Sequence, residues 1–264
     1  MANNLNPVID QTFSGLVWKL ETDAEQNLIY IETRNEEAHS AGFSSLNLKS
    51  GKVNFLEMVP EEKWLVGLNG GRKGVLFLHG YLSGQTPEHK SIIALDGLNG
   101  EQIWADYNLS METFTTEGLL AADQRFQTKR LVLLDEQTGS IKIGTDISKL
   151  QDDVQPIQTP YMLRLLPQNI SGLITGTITG EISCLNYNSY LIISLHTQNN
   201  SRLLQEIFII EDEAVIFHDI LNEDIQKLQP EAFVAIKNYL VYIKNKNALK
   251  VLNLKKQKLK NDKN

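Results

Sequence analysis

The apolar residues of this chain fall in short, continuous runs. Four examples are residues 28–31 (LIYI), 75–78 (VLFL), 131–134 (LVLL) and 240–243 (LVYI). Successive side chains of a strand point to opposite faces, so such runs predict strands that are covered on both sides. The sequence between the runs lacks the periodicity of helices that could provide this cover. We therefore expect each sheet to lie between other sheets, as blades do in a β-propeller.

One stretch, residues 94–104 (ALDGLNGEQIW), predicts a strand, a tight turn and a second strand. The Asp96 side chain can accept hydrogen bonds from the turn backbone, and Gly100 tolerates a positive φ angle. A turn of this kind is typical of hairpins closed by a left-handed residue and a bulge. Trp104 follows on the outgoing strand, where we expect it to cover a neighbouring turn.

Similar turns recur along the chain. Aligned on the turn glycine, residues 46–53 and 134–141 repeat the pattern of residues 95–102, with Gly51 and Gly139 in place of Gly100. Two degenerate copies are predicted at residues 195–202 and 252–259, where Asn200 and Gln257 occupy the glycine position. A period of about 40–50 residues in a β-rich chain predicts propeller blades rather than a helical solenoid.

These patterns predict an all-β chain that forms a single β-propeller domain over residues 1–264. About five four-stranded blades are expected, and six are possible because the two longest spacings could each contain another strand pair. The N-terminal segment 8–13 is expected to pair with the last strand, which would otherwise leave an exposed edge. One short helix is predicted at 219–229, just before Pro230. The predicted blades are residues 17–58, 64–107, 113–143, 161–210 and 233–259.

Charge is unevenly distributed. The formal net charge is −7, which argues against a specific nucleic-acid binder, because phosphate contacts need clustered Lys and Arg. Residues 244–264, however, contain eight lysines and one acid, and they predict a lysine-rich C-terminal strand and tail. These lysines could contact an acidic partner, nucleic acid or an anionic membrane surface, or could simply protect an edge strand from aggregation.

The sequence favours a cytoplasmic protein. Cys184 is the single cysteine, so no intrachain disulfide can form and nothing indicates an oxidising compartment. The first residues lack the basic and apolar regions of a secretory signal. No apolar run approaches the length of a membrane span, so none is expected.

No motif in the chain predicts catalysis, a metal site or a cofactor. The segment 75–81, with His79-Gly80, resembles a hydrolase oxyanion turn, but the chain has no G-x-S-x-G nucleophile elbow. The glycine-rich segment 67–74 predicts a basic hairpin turn rather than a phosphate loop, because a strand follows it. Cys184 is expected to be a small core residue. No metal-binding spacing relates the five histidines, His39, His79, His89, His196 and His218, although they could converge at a propeller axis.

The complete turn motif resembles the blade repeat of the pyrroloquinoline-quinone-type, or quinoprotein-like, β-propellers. The similarity rests on Ala94, Asp96, Asn99, Gly100 and Trp104 in the complete copy. In the third copy Asp135, Thr138 and Gly139 match and Ile143 replaces the tryptophan, and in the first copy Gly51 and the apolar Phe55 match. The residues singled out by this resemblance are structural repeat positions, namely Gly51, Asp96, Gly100, Trp104, Asp135 and Gly139.

The resemblance implies a fold and a branch of the family. The family contains quinoprotein dehydrogenases, which carry a vicinal cysteine pair over the cofactor, and also non-catalytic scaffolds that bind other proteins. This chain has one cysteine and about half the length of the eight-bladed catalytic domains, so it is similar to the scaffold branch and no cofactor is expected. We therefore expect a non-catalytic cytoplasmic protein-interaction or scaffold domain. The alternative is an enzyme or small-molecule sensor with a polar site in the central channel.

Overall fold

The computed structural model describes residues 5–199, 202–230 and 232–255. Over these residues the chain is all-β, as predicted, with antiparallel strands in five sheets and two short 3-10 turns, Ile147–Lys149 and Ser171–Leu173. Contacts divide the chain into two compact units. One unit is Phe13–Pro156, and the other joins the described residues up to Thr12 with those from Ile157 onward. The single domain over residues 1–264 stays a prediction.

The Phe13–Pro156 unit contains three sheets, and the first two have the four strands in sequential order that the repeat pattern predicts. The first sheet is formed by β2 (Leu16–Asp23), β3 (Leu28–Asn35), β4 (Ser40–Asn47) and β5 (Val53–Met58). The second is formed by β6 (Val66–Arg72), β7 (Val75–Ser83), β8 (Thr86–Asp96) and β9 (Gln102–Asp106). The third has three strands, β10 (Leu109–Thr115), β11 (Gly118–Asp123) and β12 (Arg130–Leu134).

The second unit contains two five-stranded sheets. The fourth sheet runs in sequential order through β14 (Tyr161–Leu163), β15 (Thr177–Tyr187), β16 (Tyr190–Asn199), β17 (Arg202–Glu211) and β18 (Ala214–Asn222). The fifth sheet has the order β1 (Pro7–Thr12), β21 (Ala248–Asn253), β20 (Tyr239–Lys244), β19 (Phe233–Ile236) and β13 (Ile157–Gln158).

The predicted pairing of the N-terminal segment with the last strand is confirmed. Strand β1 pairs antiparallel with β21, from Pro7↔Leu252 to Thr12↔Ala248. Residues 7–12 therefore cover an edge that the last strand would otherwise expose.

Strand β7 shows why the apolar runs are continuous. Leu76 and Leu78 pack into a core between the first and second sheets, together with Tyr30 and Phe43. Phe77, which points the other way, packs into a second core between the second and third sheets. The second sheet is thus covered on both faces by neighbouring sheets, as the run of residues 75–78 predicts.

The fourth sheet is also covered on both faces. Ile192, Ile207 and Ile209 pack with residues of the fifth sheet such as Leu240 and Leu252. On the opposite face, Ile193 and Phe208 pack against the connection between β14 and β15, which contributes Leu166, Ile170 and Leu173. Here a loop provides the cover that another sheet provides in the first unit.

The predicted glycine-rich hairpin turn at residues 67–74 is wrong in its extent. Residues 66–72 form strand β6, and the turn is confined to Lys73 and Gly74, both with positive φ angles. The glycines of the strand allow close packing. A Cβ added at Gly70 would lie 2.7 Å from the Phe114 ring, and one at Gly71 would overlap the Tyr30 ring. Strand glycines of this kind mark a close approach of neighbouring groups rather than a loop.

The predicted helix at residues 219–229 is wrong. Strand β18 continues through Asp219 to Asn222, and no regular element follows it up to Gln229. Instead of capping a helix, the Asp219 carboxylate accepts hydrogen bonds from the Tyr242 hydroxyl (2.9 Å) and the Lys244 ammonium group (2.6 Å) of β20. These tertiary contacts and the pairing with β17 outweigh the local helical pattern.

The predicted turn of the fourth repeat copy is also wrong, and only part of the fifth copy lies within the described residues. Residues 195–199 belong to strand β16, whose pairing with β17 continues to Asn199↔Arg202, so the turn of the other copies is absent there. Asn200 and Gln257 lie outside the described residues. Asn253 does accept a hydrogen bond from the Lys255 backbone (2.9 Å), which is the first bond of the repeated turn.

The contact between Gly71 and Tyr30 leads to the first prediction. Gly71→Ala places a methyl group on a fully buried ring that cannot move aside, so the free energy of unfolding should fall by about 2–3 kcal/mol in urea denaturation. Tyr30→Leu in the same chain should recover part of this loss. Gly84→Ala is the control, because its Cβ would lie an ordinary 3.7 Å from Leu65. Equal stabilities for the two glycine variants would contradict the close packing.

Candidate functional site

The predicted repeat positions form three turns with the same hydrogen bonds. The Asp96 carboxylate accepts hydrogen bonds from the N–H groups of Leu98 (2.7 Å) and Asn99 (3.2 Å), and the Gly100 N–H donates to the Asp96 carbonyl (2.8 Å). Asp135 with Gly139, and Asn47 with Gly51, repeat this arrangement. All three glycines have φ angles between 69° and 77°. These residues shape the hairpins and do not converge on a common site.

In the first and second repeats, the aromatic residue covers the turn of the next sheet. The Phe55 ring lies 3.5 Å from the position that a Cβ at Gly100 would occupy. The Trp104 ring lies 2.7 Å from the position that a Cβ at Gly139 would occupy. The Trp104 indole N–H also donates to the Glu136 carbonyl (2.9 Å). The predicted role of Trp104 is confirmed. In the third copy, Ile143 is 96% exposed and covers nothing among the described residues.

An open groove of about 690 Å³ lies where the β3–β4 turn approaches the loop before β6. Trp64 is its central aromatic residue. The His39 ring stacks on Trp64 with centroids 4.2 Å apart, and the Arg34 guanidinium lies 5.2 Å from the Trp64 ring centroid. The Glu62 carboxylate accepts the backbone N–H groups of Trp64 and Leu65, both at 3.0 Å, and so holds the loop in place. The other lining residues are Ala38, Lys63 and Gly84.

Below the groove, charged side chains of the first sheet bind the backbone edge of strand β6. Arg34 donates to the carbonyls of Trp64 and Val66, both at 2.6 Å, and pairs with Glu32 at 2.5 Å. Glu32 in turn accepts the Leu68 N–H (2.7 Å). The backbone groups of this edge are thus satisfied by a buried ion pair rather than by another strand. The arrangement fixes Arg34 where it can stack on Trp64.

A second polar cluster lies on β7 and β8. The His79 and His89 rings stack with centroids 3.5 Å apart, and Tyr81 meets both rings edge-on. His79 is 3% exposed, and neither of its ring nitrogens has a hydrogen-bond partner among the described residues. A Cβ at Gly67 would lie 2.7 Å from the His79 ring, so this glycine makes room for the imidazole.

The surroundings of His79 disfavour its protonated form. Burial, followed by the nearby positive groups of His89, Lys19 and Arg34, lowers the pKa of His79 to about 3. Burial and Lys19 also lower the pKa of His89. The cluster is therefore neutral at physiological pH, and its cationic neighbours make it a poor site for a metal ion.

A buried ion-pair cluster joins the second and third sheets. The Glu136 carboxylate is 3.2 Å from both the Arg72 guanidinium and the Lys73 ammonium group, and Asp153 is 3.5 Å from Arg72. Arg72 also donates to the carbonyl of Thr115 in β10. Arg72 therefore donates to the backbone of β10, as Arg34 donates to the backbone edge of β6.

In the second unit, polar side chains line one end of the fourth sheet. Glu206 accepts hydrogen bonds from Thr197 and from His218 (2.8 Å). Burial raises the pKa of Glu206, but these hydrogen bonds outweigh it and hold the pKa below its usual value. The nearby His196 is buried and accepts the Gln229 N–H (3.0 Å), and burial lowers its pKa. These contacts fix the segment after β18.

Two lysines of the lysine-rich end pair with acidic residues of their own unit. Lys244 pairs with Asp219 at 2.6 Å, and Lys250 of β21 pairs with Asp10 of β1. Residues 256–264 lie outside the described part of the chain. Cys184 is buried, as predicted, with the Tyr161 hydroxyl 3.3 Å from its sulfur, and burial raises the pKa of its thiol.

The described residues contain no group of three or more His, Cys, Asp or Glu side chains placed to hold a metal ion. They also contain no helix that is long and apolar enough to cross a membrane.

Neither Arg34 nor Trp64 is among the functional residues predicted from the sequence. A charged pair, Glu32 and Arg34, directly after the apolar run at residues 28–31 is the signal that could have identified them, because charges in a buried strand need nearby partners.

Comparisons with known proteins add little about function. Residues 22–104, which include most of the first two sheets, match a family described as a domain of unknown function, DUF4905. No curated protein sequence matches the chain.

Two solved structures show similarity of shape. One is the crystal structure of BBS1N in complex with ARL6DN, soaked with mercury, at 8% identity over 97% of this chain and 99% of that chain, with a TM-score of 0.38. The other is a bifunctional GH43-CE protein of Bacteroides eggerthii, at 10% identity over 94% of this chain and 33% of that chain, with a TM-score of 0.30. Both similarities are too low to transfer the properties of either protein.

The buried imidazole of His79 leads to the second prediction. Between pH 6.5 and 3 the unfolded chain binds a proton at this residue that the folded chain excludes, so stability should fall as the pH falls through this window. The contribution of His79 between pH 7 and 4.5 is about 2–3 kcal/mol. His79→Phe keeps a stacked ring without a titrating group and should flatten the pH dependence of the urea midpoint.

The matched control is Tyr81→Phe, which keeps the edge-on contacts with both imidazole rings and removes no group that titrates between pH 7 and 3, since burial raises the pKa of Tyr81. Its profile should follow that of the wild-type protein. A His79→Phe profile parallel to the wild-type profile would contradict the assignment.

Proposed function

We propose that this chain is a non-catalytic cytoplasmic β-propeller that acts as a protein-interaction or scaffold domain. In this proposal the five sheets are the blades, and the chain is related to the scaffold branch of the quinoprotein-like propellers. The repeated Asp/Asn–Gly turns and the aromatic residues that cover the next turn support the relationship. The single cysteine agrees with a reducing compartment.

The observation that carries the interaction function is the groove around Trp64. Tryptophan and arginine dominate the energetics of protein interfaces, and here an arginine and a histidine hold the indole on an open surface. The groove walls are already fixed by Glu62 and by the Arg34 hydrogen bonds, so a partner would bind with little loss of conformational freedom. A rigid, half-buried aromatic residue is suited to receive an apolar side chain of another protein.

The third prediction concerns this groove. Trp64→Ala should abolish capture of a partner that the wild-type chain retains, and should weaken its binding in purified form by about 30-fold or more, as expected for an interface hot spot. Tyr107→Ala is the matched control, because Tyr107 is a 70% exposed aromatic residue outside the groove. Circular dichroism should show that both variants stay folded.

Two results would contradict the proposal. One is unchanged partner binding by folded Trp64→Ala. The other is a thermal-shift screen against metals, nucleotides and sugars in which a small ligand stabilises the chain while no protein partner is captured.

A further inference from the structure

The groove around Trp64 is formed by three segments that backbone hydrogen bonds hold together. These segments are the β3–β4 turn, the loop before β6 and the β7–β8 hairpin. The Ala41 N–H, just after the turn, donates to the Lys63 carbonyl of the loop (2.6 Å). The Tyr81 N–H of the hairpin donates to the Leu65 carbonyl (2.9 Å). The residues next to the groove are therefore fixed relative to one another.

Acidic side chains predominate on these three segments. The turn and the loop each carry two adjacent glutamates and the hairpin carries one, and all of them are exposed: Glu36, Glu37, Glu61, Glu62 and Glu88. The lysines of the same segments, Lys63 and Lys90, are also exposed. Five acids against two lysines leave residues 36–39, 61–65 and 81–91 with a formal charge of −3 when the histidines are neutral.

The charges beside the groove are not neutralised within the protein. Elsewhere in the same unit, exposed cations pair with acids, as Arg125 does with Asp123 at 2.6 Å. Within the described part of the chain, by contrast, no ion pair involves any of the five glutamates, Lys63 or Lys90. The negative charge of the groove is therefore available to a partner.

Glu62 keeps its charge because of the backbone rather than because of a lysine. The N–H groups of Leu65 and Trp64 lower the pKa of its carboxyl, burial acts in the opposite direction, and Lys90 contributes least. The same hydrogen bonds fix this carboxylate beside the indole. One negative charge of the groove thus has a defined position.

Apolar surface lies between the acidic segments. Trp64 and Leu65 are half-buried where they line the groove, and Leu82 of the hairpin is 56% exposed. An apolar side chain of a partner can be buried against this surface. Positive charges on either side of that side chain would meet the glutamates of the turn and of the loop.

We infer that the partner of the Trp64 groove is a basic segment of another protein, in which an apolar residue is flanked by lysine or arginine. The apolar residue packs against Trp64 and Leu65, and the flanking cations lie beside the glutamates. This inference rests on the proposed interaction function and adds the chemical class of the partner. Complementary charge speeds association and suppresses wrong partners, so an acidic segment with the same apolar residue is rejected.

The test uses the full chain, labelled for NMR, and three capped pentapeptides. The first has a central leucine with two lysines on each side. The second has glutamates in place of the lysines, and the third has serine in place of the leucine. The lysine–leucine peptide should shift the Trp64 indole N–H signal and bind at least about tenfold more tightly than the other two. Its binding should weaken at least about tenfold between about 50 and about 500 mM sodium chloride, because salt screens exposed charges.

Two double variants test the glutamates. Glu37→Lys combined with Glu61→Lys reverses one charge on the turn and one on the loop, and should weaken binding of the lysine–leucine peptide at least about tenfold. The matched control, Glu25→Lys combined with Glu117→Lys, changes the net charge equally. Glu25 and Glu117 are exposed and lie in turns between the first and second strands of their sheets, outside the groove. The control should bind within about threefold of the wild-type protein, since screening limits the reach of distant charges.

This inference and the proposed function can fail separately. If Trp64→Ala abolishes capture of a protein partner but Glu37→Lys with Glu61→Lys leaves that capture unchanged, the groove keeps its function and the basic partner is rejected. If the lysine–leucine peptide binds as expected but Trp64→Ala leaves capture unchanged, the groove selects basic segments and the proposed function is rejected.

Four further results would overturn the inference. These are equal binding of the lysine–leucine and glutamate peptides, no shift of the Trp64 signal by any peptide, and equal weakening by the two double variants. The fourth is a Trp64 signal that shifts with protein concentration alone, because it would identify a second copy of the chain as the occupant.

Discussion

The structure depends on strands that must hide apolar side chains on both of their faces. In β7, Leu76 faces the first sheet and Phe77 faces the third, so the second sheet cannot be stable without both neighbours. Glycines 70 and 71 bring the sheets close enough for Phe114 and Tyr30 to fill the space between them. The same requirement is met in the other unit by the fifth sheet on one side and the β14–β15 connection on the other.

Stacking sheets face to face creates a second requirement, because the first strand of each sheet has polar backbone groups along its free edge. Arg34 of the first sheet donates hydrogen bonds to backbone carbonyls at the start of β6, and Arg72 of the second sheet donates to a backbone carbonyl at the end of β10. Each arginine is held by a buried glutamate, Glu32 or Glu136. A buried pair of this kind costs desolvation energy, but it places several donors where the backbone needs them. The Trp64 groove is a consequence of this arrangement, because the arginine that binds the edge of β6 also positions the indole.

Much of the fold could be predicted from local patterns. The apolar runs, the Asp96–Gly100 turn and the pairing of residues 8–13 with the last strand are local signals or direct consequences of an exposed edge. The helix at 219–229 could not be excluded, because Tyr242 and Lys244, which draw Asp219 into a strand, are distant in sequence. The Trp64 groove depends on contacts between two sheets, and no motif marks it. The buried imidazole of His79 likewise becomes evident only when its neighbours are placed.

The most direct test of this account compares two adjacent residues of β7. Leu76→Ala and Phe77→Ala remove side chains from opposite faces, and each should lower the free energy of unfolding by at least about 2 kcal/mol, measured by urea denaturation. Leu82→Ala, at a 56% exposed position of the same strand, should change it by less than about 0.5 kcal/mol. If either core variant were as mild as Leu82→Ala, one face of the second sheet would be open, and the structure described above would be wrong.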